Sequence, residues 1–234
     1  MFTNDPYMVK TIEYLTGIGF LLLFVVFWRY ANGEPLAVVE RARAWSGQLS
    51  EWFRLPEGIA LHPAHAWARV DEPGVLTVGL DDFAQQLVGP LQAIALPAPG
   101  SRLQAGAPGW TLRAGGKSLD MLAPVSGEVI GVNDAVGRDA GLVNQDPYER
   151  GWLLKLRVPQ AVDATKDLLR GDVARRWIDR ASDRLMATMT PELGHLCQDG
   201  GLPVHGIARG IDPEHWDEVA KQFLQPEHQS AENP

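Results

Sequence analysis

The residues of this chain best placed to do chemistry lie at 115–118, where Gly115-Gly116-Lys117-Ser118 sets a primary amine beside two glycines. Such glycines either close a tight turn that presents the next side chain or bare the backbone N–H groups that hold a phosphate. The phosphate loop fails on spacing: its first glycine would fall at position 111, and that residue is Thr111. Lys117 is then either an amine offered at a loop tip for modification or an ordinary solvated turn lysine. A second set, His62, His65, His195, Cys197, His205 and His215, invites a metal site, but its spacing matches no zinc signature and lacks the Cys-x-x-Cys-His of haem attachment. No metal is expected. A lone cysteine, Cys197, forms neither an internal disulfide nor a dithiol. No Ser-His-Asp order or paired-carboxylate motif stands out, so no catalytic residue is assigned. A net charge of -8 gives no basic field for phosphate backbones, which sets nucleic acid aside.

The texture of the chain says what must position these groups. With 45% hydrophobic and 21% charged residues in 234, it is a folded protein with one or two cores. Residues 1–33 hold an uncharged run from Tyr14 to Trp28, and the stretch Ile12 to Ala31 reaches the roughly 20 residues of a transmembrane helix, with Glu13 and Arg29 at the interfaces. Lys10 before the span against Arg29, Arg41 and Arg43 after it orients the remainder towards the cytoplasm by the positive-inside rule. Over 34–56, Pro35 opens an amphipathic helix with Val38, Ala42, Trp45, Leu49 and Trp52 on one face, suited to a membrane surface, a partner helix or its own domain. From 57 to 160 the pattern changes to short apolar runs between turns such as Pro73-Gly74, Gly89-Pro90 and Ser126-Gly127. Strands are expected at Val75–Leu80, Leu91–Leu96, Val125–Val132 and Leu153–Val158, and a short helix over 82–87 capped by Asp81. The fold class is mainly β, with flanking helices and the N-terminal transmembrane helix.

Four groups of residues carry a resemblance. They are His65-Ala66-Trp67; Val75 to Leu80 with Asp82-Phe83-Ala84-Gln85; Leu122-Ala123-Pro124-Val125-Ser126-Gly127-Glu128-Val129; and Val143-Asn144-Gln145-Asp146-Pro147-Tyr148 with Gly151-Trp152-Leu153-Leu154-Lys155. In this order, over about residues 59 to 158, they resemble the glycine cleavage system H protein family. The resemblance implies a lipoyl-type barrel-sandwich hybrid and a carrier role, in which lipoate on a hairpin lysine shuttles an aminomethyl intermediate and reducing equivalents between enzymes. It also implies a register for that lysine. The family places it eight residues before the proline of the Ala-Pro-Val-Ser-Gly motif, and counting back from Pro124 reaches Gly116; counting forward from Ala105-Gly106 reaches Gly116 as well. Lys117 is one residue displaced, and side chains alternate faces along a strand. The acidic residue usual three positions before the lysine is matched by Arg113.

Beyond the resemblance, a charged helix is expected from Ala161 to Ala187 with Leu169, Val173, Trp177, Ala181 and Leu185 on one stripe, and Asp212 caps a last helix carrying Trp216, Val219 and Phe223. This helical extension covers 161–225, and a polar tail follows at 226–234. The expectation is a membrane-anchored, divergent H-protein-like subunit, single-pass in the cytoplasmic membrane. It would be non-catalytic and without cofactor, serving as a scaffold for protein subunits of a membrane-associated complex. The alternative is a carrier lipoylated on Lys117. A membrane-fusion adaptor of an export system ranks last, because the Gly115-Gly116 turn leaves no room for the long helical hairpin of those proteins.

Overall fold

The computed structural model describes residues 6–32, 53–189 and 205–225. The chain divides into two units, 1–45 and 46–234.

In the first unit, helix α1 runs from Pro6 to Asn32, 27 residues. Leu15, Ile18, Phe20, Leu21, Leu22, Leu23, Val25, Phe27 and Trp28 on it are all more than half exposed. Among the described residues, however, no helix is long and apolar enough to cross a membrane, so the transmembrane helix of the expectation is not supported. Its strictly apolar run is Ile18 to Trp28, about 16 Å of helix against a hydrocarbon core of about 30 Å, and Thr16, Gly17 and Gly19 dilute the turns before and within it. The amphipathic helix expected over 34–56 lies outside the described residues except for its last four positions, and the tail at 226–234 lies wholly outside them.

The second unit is built on two antiparallel sheets. One has six strands in the order β1 (Ala60–Leu61), β2 (Ala66–Glu72), β3 (Val75–Leu80), β9 (Leu154–Arg157), β8 (Gly127–Val132), β5 (Arg102–Leu103). The other has three, β4 (Ala93–Ala95), β6 (Pro108–Ala114) and β7 (Lys117–Leu122), with β6 in the middle. Alternation decides what is buried: Leu76, Val78 and Leu80 of the first sheet and Leu112, Leu119 and Met121 of the second share one core. This agrees with the mainly β expectation, and all four expected strands are present with ends moved by up to two residues.

Helix α2 (Asp82–Val88) starts where Asp81 caps it, its carboxylate accepting from the Ala84 N–H at 2.8 Å. It ends at Gly89, whose φ of 80° suits glycine. Short helices α3 (Asp134–Arg138), α4 (Gly141–Gln145) and α5 (Ala161–Ala164) follow, then α6 (Gly171–Met189), α7 (Ile207–Ile211) and α8 (Trp216–Leu224). The single helix expected over 161–187 is therefore two. Between them Leu169 forms a backbone bridge with Leu61, and Gly171 takes a φ of 50°, so the chain is extended where a continuous helix would need to be wound. The buried stripe of α6 is Ala174, Ile178, Ala181, Ser182 and Leu185, while Val173 is 51% exposed, a rotation of the expected face.

The elements are tied together by a buried polar node. Tyr148 donates its hydroxyl hydrogen to the Arg54 carbonyl at 2.5 Å and accepts from the Asp82 N–H at 3.0 Å. Burial pushes the Tyr148 phenol far up from its usual range. Replacing Tyr148 by Phe keeps the ring and strands the Asp82 N–H and the Arg54 carbonyl, so Tyr148→Phe is expected to cost about 1–3 kcal/mol. Chemical denaturation of the two proteins, with unchanged m-value, checks it.

Candidate functional site

The hairpin β6–β7 turns on Gly115 and Gly116, with φ of 52° and 78°, the two positive values that a tight two-residue hairpin turn requires. Because both residues belong to the turn, Ala114 pairs directly with Lys117, Arg113 with Ser118 and Leu112 with Leu119. Paired residues share a face. Lys117 therefore projects from the face of Ala114, Leu112 and Leu119, all buried, while Arg113 and Ser118 project from the opposite, exposed face. Gly116 is exposed, with open space where a Cβ would stand. The one-residue displacement seen in the sequence thus has a physical result: it turns the amine to the covered side of the hairpin.

The cover is the C-terminal helical segment. Lys117 Nζ donates to the Glu214 carbonyl and to Asp217 Oδ1. The Lys117 side chain is 36% exposed and that of Asp217 17%. Lys221 reaches the second Asp217 oxygen at 3.6 Å. Trp216, 2% exposed, lies against the turn, its Nε1 at 3.4 Å from the Cβ position of Gly115. The Arg209 guanidinium lies over the Trp216 ring at 5.2 Å and donates to the carbonyls of Val88 and Pro90. Gln225 donates to the Asp120 carbonyl at 2.7 Å. At the other end the Gly206 N–H donates to the Gln86 carbonyl at 2.8 Å, and a Cβ on Gly89 would stand 2.5 Å from the Gly206 Cα.

The histidines do not converge. His65 is buried with φ of 60°; its Nδ1 is 2.7 Å from Asp81 Oδ2, and its ring stacks on Phe83 at 4.3 Å. It holds the start of β2 against the N-terminus of α2. His62 Nδ1 accepts from the Ala64 N–H, and His215 faces Asp212. Among the described residues no three His, Cys, Asp or Glu side chains gather to hold a metal; His195 and Cys197 lie outside them. Asp212 accepts from the N–H groups of Glu214 and His215, capping the turn before α8 rather than the helix itself.

Sequence reasoning found Lys117 and missed Asp217 and Glu214. They stand about a hundred residues further on, and the only local trace was the i,i+4 spacing of Asp217 and Lys221, which reads as surface charge.

Residues 60–180 match the family model described as glycine cleavage H-protein. A glycine cleavage system H protein of Legionella pneumophila (strain Corby) is 44% identical over 105 residues, 45% of this chain and 82% of that protein. One from Rubrobacter xylanophilus is 38% identical over 109 residues, 47% of this chain and 86% of its own. The crystal structure of an H protein from Mycobacterium marinum overlaps 54% of this chain and 98% of its own, with 24% identity and a TM-score of 0.48. The chain belongs to the glycine cleavage H-protein family. Its members are carriers and not catalysts, in line with the expectation of no enzyme activity. The same membership corrects the expectation of no cofactor, since this is a lipoate-bearing family and the match runs through the whole hairpin.

Asp217 offers a direct probe of the site. The hydrogen bond from Lys117 holds its carboxyl below the usual aspartate range, against the upward pull of partial burial. A carboxylate whose pKa falls on folding contributes fully above its unfolded value of about 3.9 and loses that contribution as pH drops through the lower folded value. Carbon-detected NMR titration is expected to place the Asp217 midpoint below the ordinary range, and Lys117→Gln to move it back up.

Proposed function

We propose that this member of the glycine cleavage H-protein family is a lipoyl carrier whose acceptor is the Lys117 amine, held at a membrane through α1. The observation that carries the proposal is the hairpin itself: within the family match, the hairpin places one lysine directly beside a two-glycine turn. The residues fit the group. A four-carbon arm rooted on β7 stands next to Gly116, around which space is open, so an acylated amine has a path outward along the turn. The lone cysteine cannot make a dithiol, so the redox pair has to arrive as a cofactor.

When bound, lipoate supplies a strained disulfide that can take up an aminomethyl group and two electrons. The chain's own residues do the rest. The paired strands β6 and β7 fix where the arm is rooted, Gly115 and Gly116 let the turn close without a Cβ on the inner side, and the apolar face of Leu112 and Leu119 keeps the hairpin seated on the core. The scaffold role without cofactor, expected from the displaced lysine, gives way to this carrier.

The membrane part rests on α1, whose described large apolar side chains between Tyr14 and Trp28 are exposed and gain from cover by lipid. Partners are then protein components of the same system, brought together at the bilayer.

Two measurements test the proposal. Peptide mass spectrometry of the protein from its own cells is expected to find one lipoyl amide on the peptide containing Lys117, lost in Lys117→Ala; an unmodified Lys117 under lipoate-replete growth overturns the carrier. Vesicle flotation is expected to carry the full chain upward and to leave a chain lacking residues 1–45 at the bottom. Equal behaviour of the two overturns the attachment.

A further inference from the structure

The C-terminal segment 205–225 does more than complete the core, because it spends its charged contacts on the one amine that the carrier reading needs. We infer that α7 and α8 form a detachable cap that masks Lys117 against acylation and is loosened once acylation has occurred. This rests on Lys117 being the acceptor.

The geometry sets up a conflict between two uses of one nitrogen. In the capped form the Lys117 ammonium gives hydrogens to the Glu214 carbonyl and to Asp217, both on the turn and first helical residues of the cap. Acylation requires the neutral amine with its lone pair free. The Nζ–C bond forms as the donor's bond to its leaving group breaks, whether that donor is a thioester or an acyl adenylate, and the leaving group takes the electron pair. One proton leaves Nζ before attack and a second on amide formation, so the product keeps one N–H and no charge. Asp217, only 17% exposed on its side chain, then loses its nearest cation and retains Lys221 at 3.6 Å. The modified nitrogen keeps one hydrogen for two acceptors, the Glu214 carbonyl and Asp217.

The rest of the cap is held by apolar burial and by bonds to backbone carbonyls, not by strand pairing. Its polar contacts to the body, apart from those of Lys117, are to backbone carbonyls at Gln86, Val88, Pro90 and Asp120, while Ile207, Ala208, Trp216, Ala220, Phe223 and Leu224 are buried in the shared core. No strand of either sheet pairs with it, so both ladders survive its departure. By reciprocity, whatever factor acylation takes from docking, docking takes from acylation.

Chemical acylation tests this without any lipoylating enzyme. The full chain in mild detergent is pulsed with N-hydroxysuccinimidyl acetate, and modification is read by peptide mass spectrometry at Lys117, with the exposed Lys166 as internal reference. Lys117 is expected to react more slowly than Lys166 in the native chain and about 5-fold faster or more in Asp217→Ala. Hydrogen exchange is the second readout: Lys117→Gln, which removes the charge as acylation does, is expected to speed exchange across 216–224 while β2, β3 and β9 stay protected. Equal reactivity of Lys117 and Lys166, or a Lys117 rate unmoved by Asp217→Ala, overturns the mask. Unchanged exchange of α8 in Lys117→Gln overturns the release. Absence of lipoate in cells would remove the carrier and leave a positive masking result standing, so the two failures are distinct.

Discussion

The structure around Lys117 depends on one constraint, the two-residue turn at Gly115 and Gly116. Both residues take positive φ, and that fixes Ala114 opposite Lys117. A strand pairing has a period of two, so this single register decides for the whole hairpin which side chains enter the core. Leu112, Leu119 and Met121 are buried as a result, Arg113 and Ser118 face out, and the amine joins the inward set at its outermost edge. The same alternation that seats the hairpin thus delivers a cation to the C-terminal segment.

Around that hairpin, buried polar groups join elements far apart in sequence. Asp81 caps α2 and meets His65, Tyr148 links Asp82 to Arg54, and Asn144 bonds both Leu91 and the carbonyl of Gly89. Hydrogen bonds of this kind contribute modestly when made and cost more when one partner is removed. They explain why α2 and the segment from 133 to 153 sit in one defined place against sheets whose core-facing side chains are largely apolar.

Local signals were legible. Asp81 marked a helix start, Gly-Pro pairs marked turns, and short apolar runs marked β3 and β9, because each depends on residues within a few positions. Family membership was legible for a different reason, since four motifs agreed in order. What could not be read was set by distance. The extended stretch that separates α5 from α6 exists because Leu169 bridges Leu61, more than a hundred residues earlier, and no periodicity in 161–187 announces that partner. The rotated face of α6 follows from the same break. Asp217 looked like half of a helical surface pair until the fold set it against Lys117. The register of Lys117 could be counted in the sequence, but the consequence of that register needed the neighbour that covers it.

The seam between Gly89 and Gly206 carries a further meaning. Two main chains touch there with no side chain between them, so the terminal segment is seated at the end of α2 by close backbone approach together with the Gly206 to Gln86 hydrogen bond. Any lineage that placed a methyl group on this line would wedge the segment outward, whatever happened to the charges near the turn. The segment is therefore held in two different ways, by close backbone approach at one end and by an ion pair at the other, and loss of either would loosen the covering above an H-type core.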